Sequence, residues 1–276
     1  MRRDAEQGVT LSTLAAILAG LVYLNALGNP FVYDDVLTVL YNVSLRDPAG
    51  VRAFILQNVF RPVTNLSYLL DHAVWGFHPA GYHVTSVLLH MANVALLFWL
   101  AWRAVEDGQA RDPRGAAGRP PAVVAVAAAT TFAVHPLMTE AVGYVSGRSE
   151  VLASTFFLGG LLALRAGLVR RRWPWLALGL VLGAIGAGAK EVAVMLPFVF
   201  LAWDRLLLPA SPEARRRRLL RLHLPLVAVV SVLALVRAAT FLWIETPPPP
   251  TPLWQYVASQ FGVVWRYLFL LVAPVS

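Results

Sequence analysis

VTLSTLAAILAGLVYLNAL, residues 9–27, is an uncharged, mostly apolar run. At about 20 residues it has the length that crosses a bilayer as a helix. It follows Met1-Arg2-Arg3. A signal peptide would carry a shorter apolar core ahead of a small-x-small cleavage site, so this run reads as an uncleaved first span with its N-terminus inside. Further apolar stretches cover 82–102, 122–134, 151–164, 173–189, 192–208, 222–244 and 254–273. Gln255, Gln260 and Arg266 interrupt the last of them. The expected fold is therefore all-α, a polytopic helical membrane protein of about eight transmembrane helices. No internal repeat and no soluble domain is visible, so residues 1–276 read as a single membrane domain. The sequence stops directly after a span, which fits a fragment of a longer enzyme or a short version of one.

Composition supports that reading. The chain is 58% hydrophobic and 14% charged, too apolar for a soluble domain. A net charge of +8 could suggest nucleic acid, but the basic residues fall in short runs between apolar stretches. There is no cysteine, which excludes disulfides and thiolate metal sites. Lys occurs once, at Lys190, every other strongly basic residue being Arg. With the Ala, Gly and Pro richness, this points to a GC-rich bacterial genome and hence to a bacterial inner membrane.

The spans divide the basic residues unequally. Inner segments carry Arg2, Arg3, Arg103, Arg111, Arg114, Arg119, Arg165, Arg170 to Arg172, Arg205, Arg215 to Arg218 and Arg221, sixteen in all. Outer segments carry Arg46, Arg52, Arg61, Arg148 and Lys190, which is five. This is the asymmetry of the positive-inside rule, and a missed helix would scramble it. The inner Arg runs read as topology signals and lipid head-group contacts rather than as a catalytic patch.

The same topology gathers Asp34, Asp35, His135, Glu140, Arg148, Glu150, Lys190, Glu191 and Glu245 on the outer, periplasmic side, from four separate segments. The first outer segment, 29–81, is long. Val51, Phe54, Ile55 and Val59 recur in it at helical spacing, with Arg52, Gln57 and Asn58 between, which suits an interfacial helix. Arg61-Pro62-Val63-Thr64 is expected to end that helix, and 66–75 to form a second short amphipathic piece. Pro247 to Pro250 form a stiff polyproline loop.

Phe31-Val32-Tyr33-Asp34-Asp35 places two carboxylates just past the first span. A carboxylate there can act as general base towards a hydroxyl; helix capping or loop solvation is the plainer alternative. His135, Glu140, Arg148 and Glu150 are compressed into 16 residues between two spans. The planar fork of Arg148 suits a phosphate, or it pairs with Glu150 or Glu140 to hold the loop. A charge at bilayer depth costs about 2.5–3.5 kcal/mol, so Lys190 needs a partner or a task. It is a candidate for the anionic part of a lipid phosphate, or for a structural pair. His83 and His90 are seven residues apart on one helix, about 10 Å, too far to share an ion. His78 and His83 flank the outer end of the second span and could line a site. No HExxH, Walker or Gly-rich fingerprint is present, which argues against nucleotide use.

The elements Phe31 to Asp35, Arg61-Pro62-Val63-Thr64-Asn65-Leu66-Ser67-Tyr68, and Trp75-Gly76-Phe77-His78-Pro79-Ala80-Gly81-Tyr82-His83 with Leu88-Leu89-His90 form an ordered set. His135-Pro136, Thr139-Glu140-Ala141-Val142, Gly147-Arg148, and Lys190-Glu191 followed by Leu196-Pro197 and Asp204 continue it. Taken in order, they resemble the membrane part of the transmembrane-and-tetratricopeptide-repeat protein O-mannosyltransferases and their bacterial relatives, within the GT-C glycosyltransferase class. The resemblance runs from about residue 28 to the end. It implies a GT-C-like module with interfacial helices in the first outer loop, a polyprenyl-phosphate sugar donor (mannose or a similar hexose) and an acceptor hydroxyl on a protein Ser/Thr or a glycan. It favours Asp34 as base, with Asp35 orienting the acceptor or the base, and Arg148 and Lys190 on the donor phosphate. Arg61, His78, His83, His135, Glu140, Glu150 and Glu191 are expected to support the pocket. In-line attack would expel polyprenyl phosphate and invert the anomeric configuration. A phosphate leaves readily, so no cofactor and no dedicated metal is expected, although the acid-rich loop is compatible with a divalent cation. The sequence departs from the family pattern in carrying no tetratricopeptide repeats and in its short, proline-rich 245–254 loop. Two other classes compete: a transporter or flippase for lipid-linked sugars, and a non-catalytic membrane assembly protein. A transporter would need polar groups throughout the spans, where only Arg237 and Arg266 lie deep.

Overall fold

The computed structural model describes residues 2–42, 45, 52, 61–113, 120–240 and 252–273. The expected interfacial helix over 51–59 is outside the described residues save Arg52, as are Arg46, Arg114, Arg119, Glu245 and the polyproline loop. No strand occurs among the described residues. The chain divides into two compact units, Met1–His223 and Leu224–Ser276.

The first unit contains nine α-helices among its described residues. They are α1 (Arg2–Val22), α2 (Pro62–Trp75), α3 (Pro79–Arg111), α4 (Pro121–Val134), α5 (Met138–Gly143), α6 (Arg148–Arg170), α7 (Trp173–Ala189), α8 (Leu196–Leu206) and α9 (Pro212–Arg218). The second unit holds α10 (Leu224–Thr240) and α11 (Leu253–Val272). Val232, Leu235, Phe261 and Trp265 of that unit are exposed, as lipid-facing residues would be. By length and composition, Arg3–Gly28, Pro79–Arg111, Arg148–Arg170 and Pro212–Thr240 can each cross a membrane, and Pro121–Val134, Trp173–Ala189 and Val257–Val272 are shorter apolar helices. The protein is thus an all-α polytopic membrane protein.

Three sequence expectations change. The sixth stretch does not form one long helix. Lys190 is extended (φ −154°, ψ 143°), a short 3-10 turn covers Glu191–Met195, and α8 is only 11 residues. At 1.5 Å per residue that is about 16 Å, less than a bilayer. Pro62 starts a helix, so the amphipathic piece expected at 66–75 begins four residues earlier. Arg61 precedes it as N-cap and the proline sits in the first turn, where its missing N–H costs nothing. Helix α3 also runs past the expected end at 102 to Arg111. Its extra turns are held by Glu106, which accepts from Trp102 Nε1 (2.8 Å) and Arg103 (2.6 Å). Asp107 accepts from Arg165 Nε (2.8 Å) and Nη2 (2.6 Å) of α6 and from Trp203 Nε1 (2.9 Å) of α8.

Small residues set the packing, as expected where lipid gives no hydrophobic drive between helices. Ala15 and Ala19 of α1 and Ala125, Ala129 and Ala133 of α4 are buried against Val94, Phe98 and Trp102 of α3. His90 of α3 packs edge-on to Tyr23, the residue after α1, at 5.1 Å and against Phe132 of α4 at 5.3 Å. Helices α6 and α7 make the most extensive pairing, across Gly160 and Gly179. A Cβ on Gly179 would lie 2.5 Å from Leu164 Cγ and 2.9 Å from the Gly160 carbonyl. Gly179→Ala is therefore expected to force the helices apart and cost about 1–3 kcal/mol of overpacking strain. Thermal unfolding in detergent checks it; an unchanged midpoint would contradict this seam.

Candidate functional site

Helix α2 carries Thr64, Tyr68 and Asp71 at i, i+4 and i+7, so the three share one face. All are buried. Thr64 Oγ1 donates to the Ala189 carbonyl at 2.9 Å, which joins α2 to the end of α7. The Tyr68 hydroxyl donates to the Val145 carbonyl at 3.1 Å. Burial pushes that hydroxyl up to about 12, against the opposing pull of Arg148, so it stays a donor at any physiological pH. Asp71 accepts from Thr85 Oγ1 at 2.7 Å and pairs with Arg148 Nη1 at 2.5 Å.

Arg148 is fully buried. Its Nη2 donates to the Tyr82 carbonyl (2.7 Å), Nε to Ser86 Oγ (3.3 Å) and Nη1 to the Ser67 carbonyl (3.5 Å). Its guanidinium also faces the rings of Tyr68 and Tyr82 at 5.1 and 5.6 Å. The carboxylates that the sequence offered as its partners, Glu140 and Glu150, are not the ones it uses. It ties α2, α3 and α6 together.

The two adjacent aspartates are sharply different. Asp35 is fully buried, and its carboxylate accepts from the backbone N–H of Ser146 (2.6 Å), Val145 (3.3 Å) and Val32 (3.4 Å). It anchors the 145–146 loop to the end of the first span. Asp34 is exposed, and among the described residues no hydrogen bond or ion pair occupies its carboxylate. The residue before it, Tyr33, has φ +49° in the left-handed region, a conformation that costs a non-glycine residue of order 1–2 kcal/mol. Such strain often marks a functional site. Gly147 permits the tight loop opposite: a Cβ there would lie 2.7 Å from the Glu140 carbonyl.

Asp34 stands between two clefts. One, of about 440 Å³, is lined by Asp34, Thr38, Asn42, Arg61, Asn65 and Ser146. The other, of about 530 Å³, is lined by Tyr33, Asp34, Thr139, Glu140, Tyr144 and Ser146. Tyr33 and Tyr144 meet edge to face at 5.7 Å. Arg61 pairs with Glu191 at 3.2 Å, both about a third exposed, while its buried Nε has no hydrogen-bond partner among the described residues. Lys190 Nζ pairs with Glu150. Segments from four parts of the chain thus converge at one end of the first unit. His83 is buried within α3 and His78 exposed just before it. His135 is half-buried, its Nδ1 accepting the Leu137 N–H at 3.3 Å. Among the described residues no group of three His, Asp or Glu side chains could hold a metal ion.

Sequence reasoning missed Asp71, Tyr68 and Asn65. The i, i+4, i+7 spacing of Thr64, Tyr68 and Asp71 was the available signal, because polar residues on one face of an amphipathic helix need partners.

A polytopic membrane protein with a charged pocket at the helix ends is the class that fold and site define. The chain is 32% identical over 193 residues to protein O-mannosyl-transferase Tmtc1 of Drosophila melanogaster, covering 64% of this chain and 20% of that protein. It is 30% identical over 224 residues to human TMTC1 (71% and 24%) and 29% identical over 253 residues to human TMTC2 (83% and 28%). The chain belongs to the transmembrane and tetratricopeptide-repeat (TMTC) protein O-mannosyltransferase family. It spans about a fifth to somewhat over a quarter of the length of these relatives. No family model matches it, and no solved structure matches it significantly.

Breaking a buried ion pair leaves an uncompensated charge and costs about 3–5 kcal/mol. Asp71→Asn should therefore destabilise the first unit by that order, and the double variant Asp71→Asn/Arg148→Gln by less. By contrast Glu191→Gln, at a pair about a third exposed, should change stability by less than about 1 kcal/mol. Chemical denaturation in detergent micelles measures all three; equal effects would refute the structural role given to Arg148.

Proposed function

We propose that this chain is the membrane module of a glycosyltransferase that moves a sugar, mannose or a similar hexose, from a polyprenyl-phosphate donor to an acceptor hydroxyl. The observation that carries the proposal is Asp34, exposed between two clefts, one of which has Arg61 in its wall. The names of the relatives, protein O-mannosyl-transferases, support it.

In this reading Asp34 is the general base. It takes the proton of the acceptor hydroxyl as that oxygen attacks the anomeric carbon. The bond from that carbon to the phosphate oxygen breaks, and polyprenyl phosphate leaves with the electron pair. Attack from the opposite face inverts the anomeric configuration. Phosphate is a good leaving group, so no general acid is required. Asp35 positions the reaction by holding the 145–146 loop beside Asp34.

Energetics favour Arg61 and Lys190 over Arg148 for the donor phosphate. The Arg148–Asp71 pair is buried, and opening it would cost several kcal/mol. The Arg61–Glu191 and Lys190–Glu150 pairs are partly exposed, worth about 0–1 kcal/mol each, so an incoming phosphate can displace their carboxylates. The donor then occupies the cleft with Arg61, and the acceptor the cleft with Tyr33, Glu140 and Tyr144. Charge asymmetry supports placing this end on the periplasmic face of a bacterial inner membrane, with the N-terminus cytoplasmic.

General-base catalysis contributes about 10²–10⁴-fold. Asp34→Asn should lower sugar transfer by that factor in membranes while the protein stays folded. Arg61→Gln should chiefly raise the KM for the lipid-linked donor. Undiminished transfer by Asp34→Asn would remove the proposed base.

A further inference from the structure

The first unit has a further cleft, of about 940 Å³, at the other end of its helices. Helix α6 starts at Arg148 beside the site described above, and this cleft is lined by its last turn, Gly167 to Val169, about 30 Å along the helix axis. One wall is the α6–α7 turn with Arg171, Arg172 and Trp173, and the other is α9 with Arg217 and Arg218.

The charges in this cleft do not cancel. Asp107, the one carboxylate in the lining, is taken up by Arg165 and Trp203. Arg218 is paired with Asp204 at 2.7 Å, and Asp204 also meets His223 at 2.9 Å. Arg171, Arg172 and Arg217 are exposed and make no ion pair with a carboxylate among the described residues. Cations at the C-terminal end of α6 offset its helix dipole, which accounts for Arg171 on one wall. It does not account for Arg217, which faces the same space from a different helix. Below the guanidiniums the lining turns apolar, with Leu168, Val169, Leu176 and Leu208. Trp173, 76% exposed, stands at the rim where α7 begins, as tryptophans do at a membrane interface.

A planar guanidinium binds phosphate oxygens in pairs. Cations over an apolar wall at the ends of membrane helices fit a ligand that is itself amphiphilic. We infer that this cleft is a binding site for an anionic phospholipid of the adjoining leaflet, its phosphate held by Arg171, Arg172 and Arg217 and its acyl chain lying along Leu168 and Leu176. This site does not depend on the sugar-transfer reading and shares no residue with the pocket around Asp34.

The test uses the full chain in detergent and titrates dioctanoyl phosphatidylglycerol, followed by native mass spectrometry. Each cation near an anionic head group contributes roughly fivefold, so three contribute on the order of a hundredfold. The wild type should bind phosphatidylglycerol saturably, with dioctanoyl phosphatidylcholine much weaker and inorganic phosphate unable to displace it. Arg171→Gln/Arg172→Gln/Arg217→Gln should weaken binding about a hundredfold, and Arg172→Gln alone about fivefold. Arg3→Gln/Arg216→Gln/Arg221→Gln, with the same net charge, should bind as the wild type does. The inference fails if the cleft variants bind normally or if both triple variants weaken alike. Displacement by inorganic phosphate would equally overturn it, showing a soluble-anion site instead.

Discussion

The buried pair of Arg148 and Asp71 is the constraint on which the rest of the first unit depends. A guanidinium at zero exposure survives only with acceptors around it, and here they come from two helices other than its own: Asp71 and Ser67 of α2, Tyr82 and Ser86 of α3. That requirement fixes α2 against α3 and α6. It also fixes the start of α6, and with it the loop whose Val145 and Ser146 amides bind Asp35. Asp34 is thereby held at the surface next to an immobilised neighbour. A short side chain on a rigid support is what a general base needs, since catalysis depends on sub-ångström placement.

The contrast between the three cation–carboxylate pairs has a functional meaning under the proposed reading. Burial makes the Arg148 pair costly to open, whereas Arg61 and Lys190 keep their carboxylates only loosely. A site that binds an anionic donor from the membrane needs both kinds of pair. One holds the geometry, and the other yields when the phosphate arrives.

The fold was largely legible in the sequence because bilayer thickness imposes a length on apolar runs that any reader of hydropathy can see. The stretches at 9–27, 82–102, 122–134, 151–164 and 173–189 each became a helix. The sixth, 192–208, was shortened because a 3-10 turn takes its first residues through Met195 and Pro197 sits in the first turn of the helix that follows. The site was legible only in part. Topology pointed to Asp34, Asp35, Arg148 and Lys190, the family resemblance added Arg61, and the structure brings their segments together. Composition could not separate a buried carboxylate from an exposed one in Asp34-Asp35, because that depends on which amides a distant loop presents. Nor could it foresee that Arg148 would pair with Asp71, 77 residues earlier in the chain, rather than with Glu140 or Glu150 nearby. Long-range pairing of buried charges is decided by packing, which local pattern does not encode.

The most direct test of the central claim is an experimental structure of the protein with a polyprenyl-phosphate sugar bound. The account predicts phosphate density within hydrogen-bond distance of Arg61, the sugar's anomeric carbon facing the cleft at Asp34, and Arg148 still paired with Asp71. Phosphate seated on Arg148, or a donor bound away from Asp34 at the opposite end of α6, would contradict it.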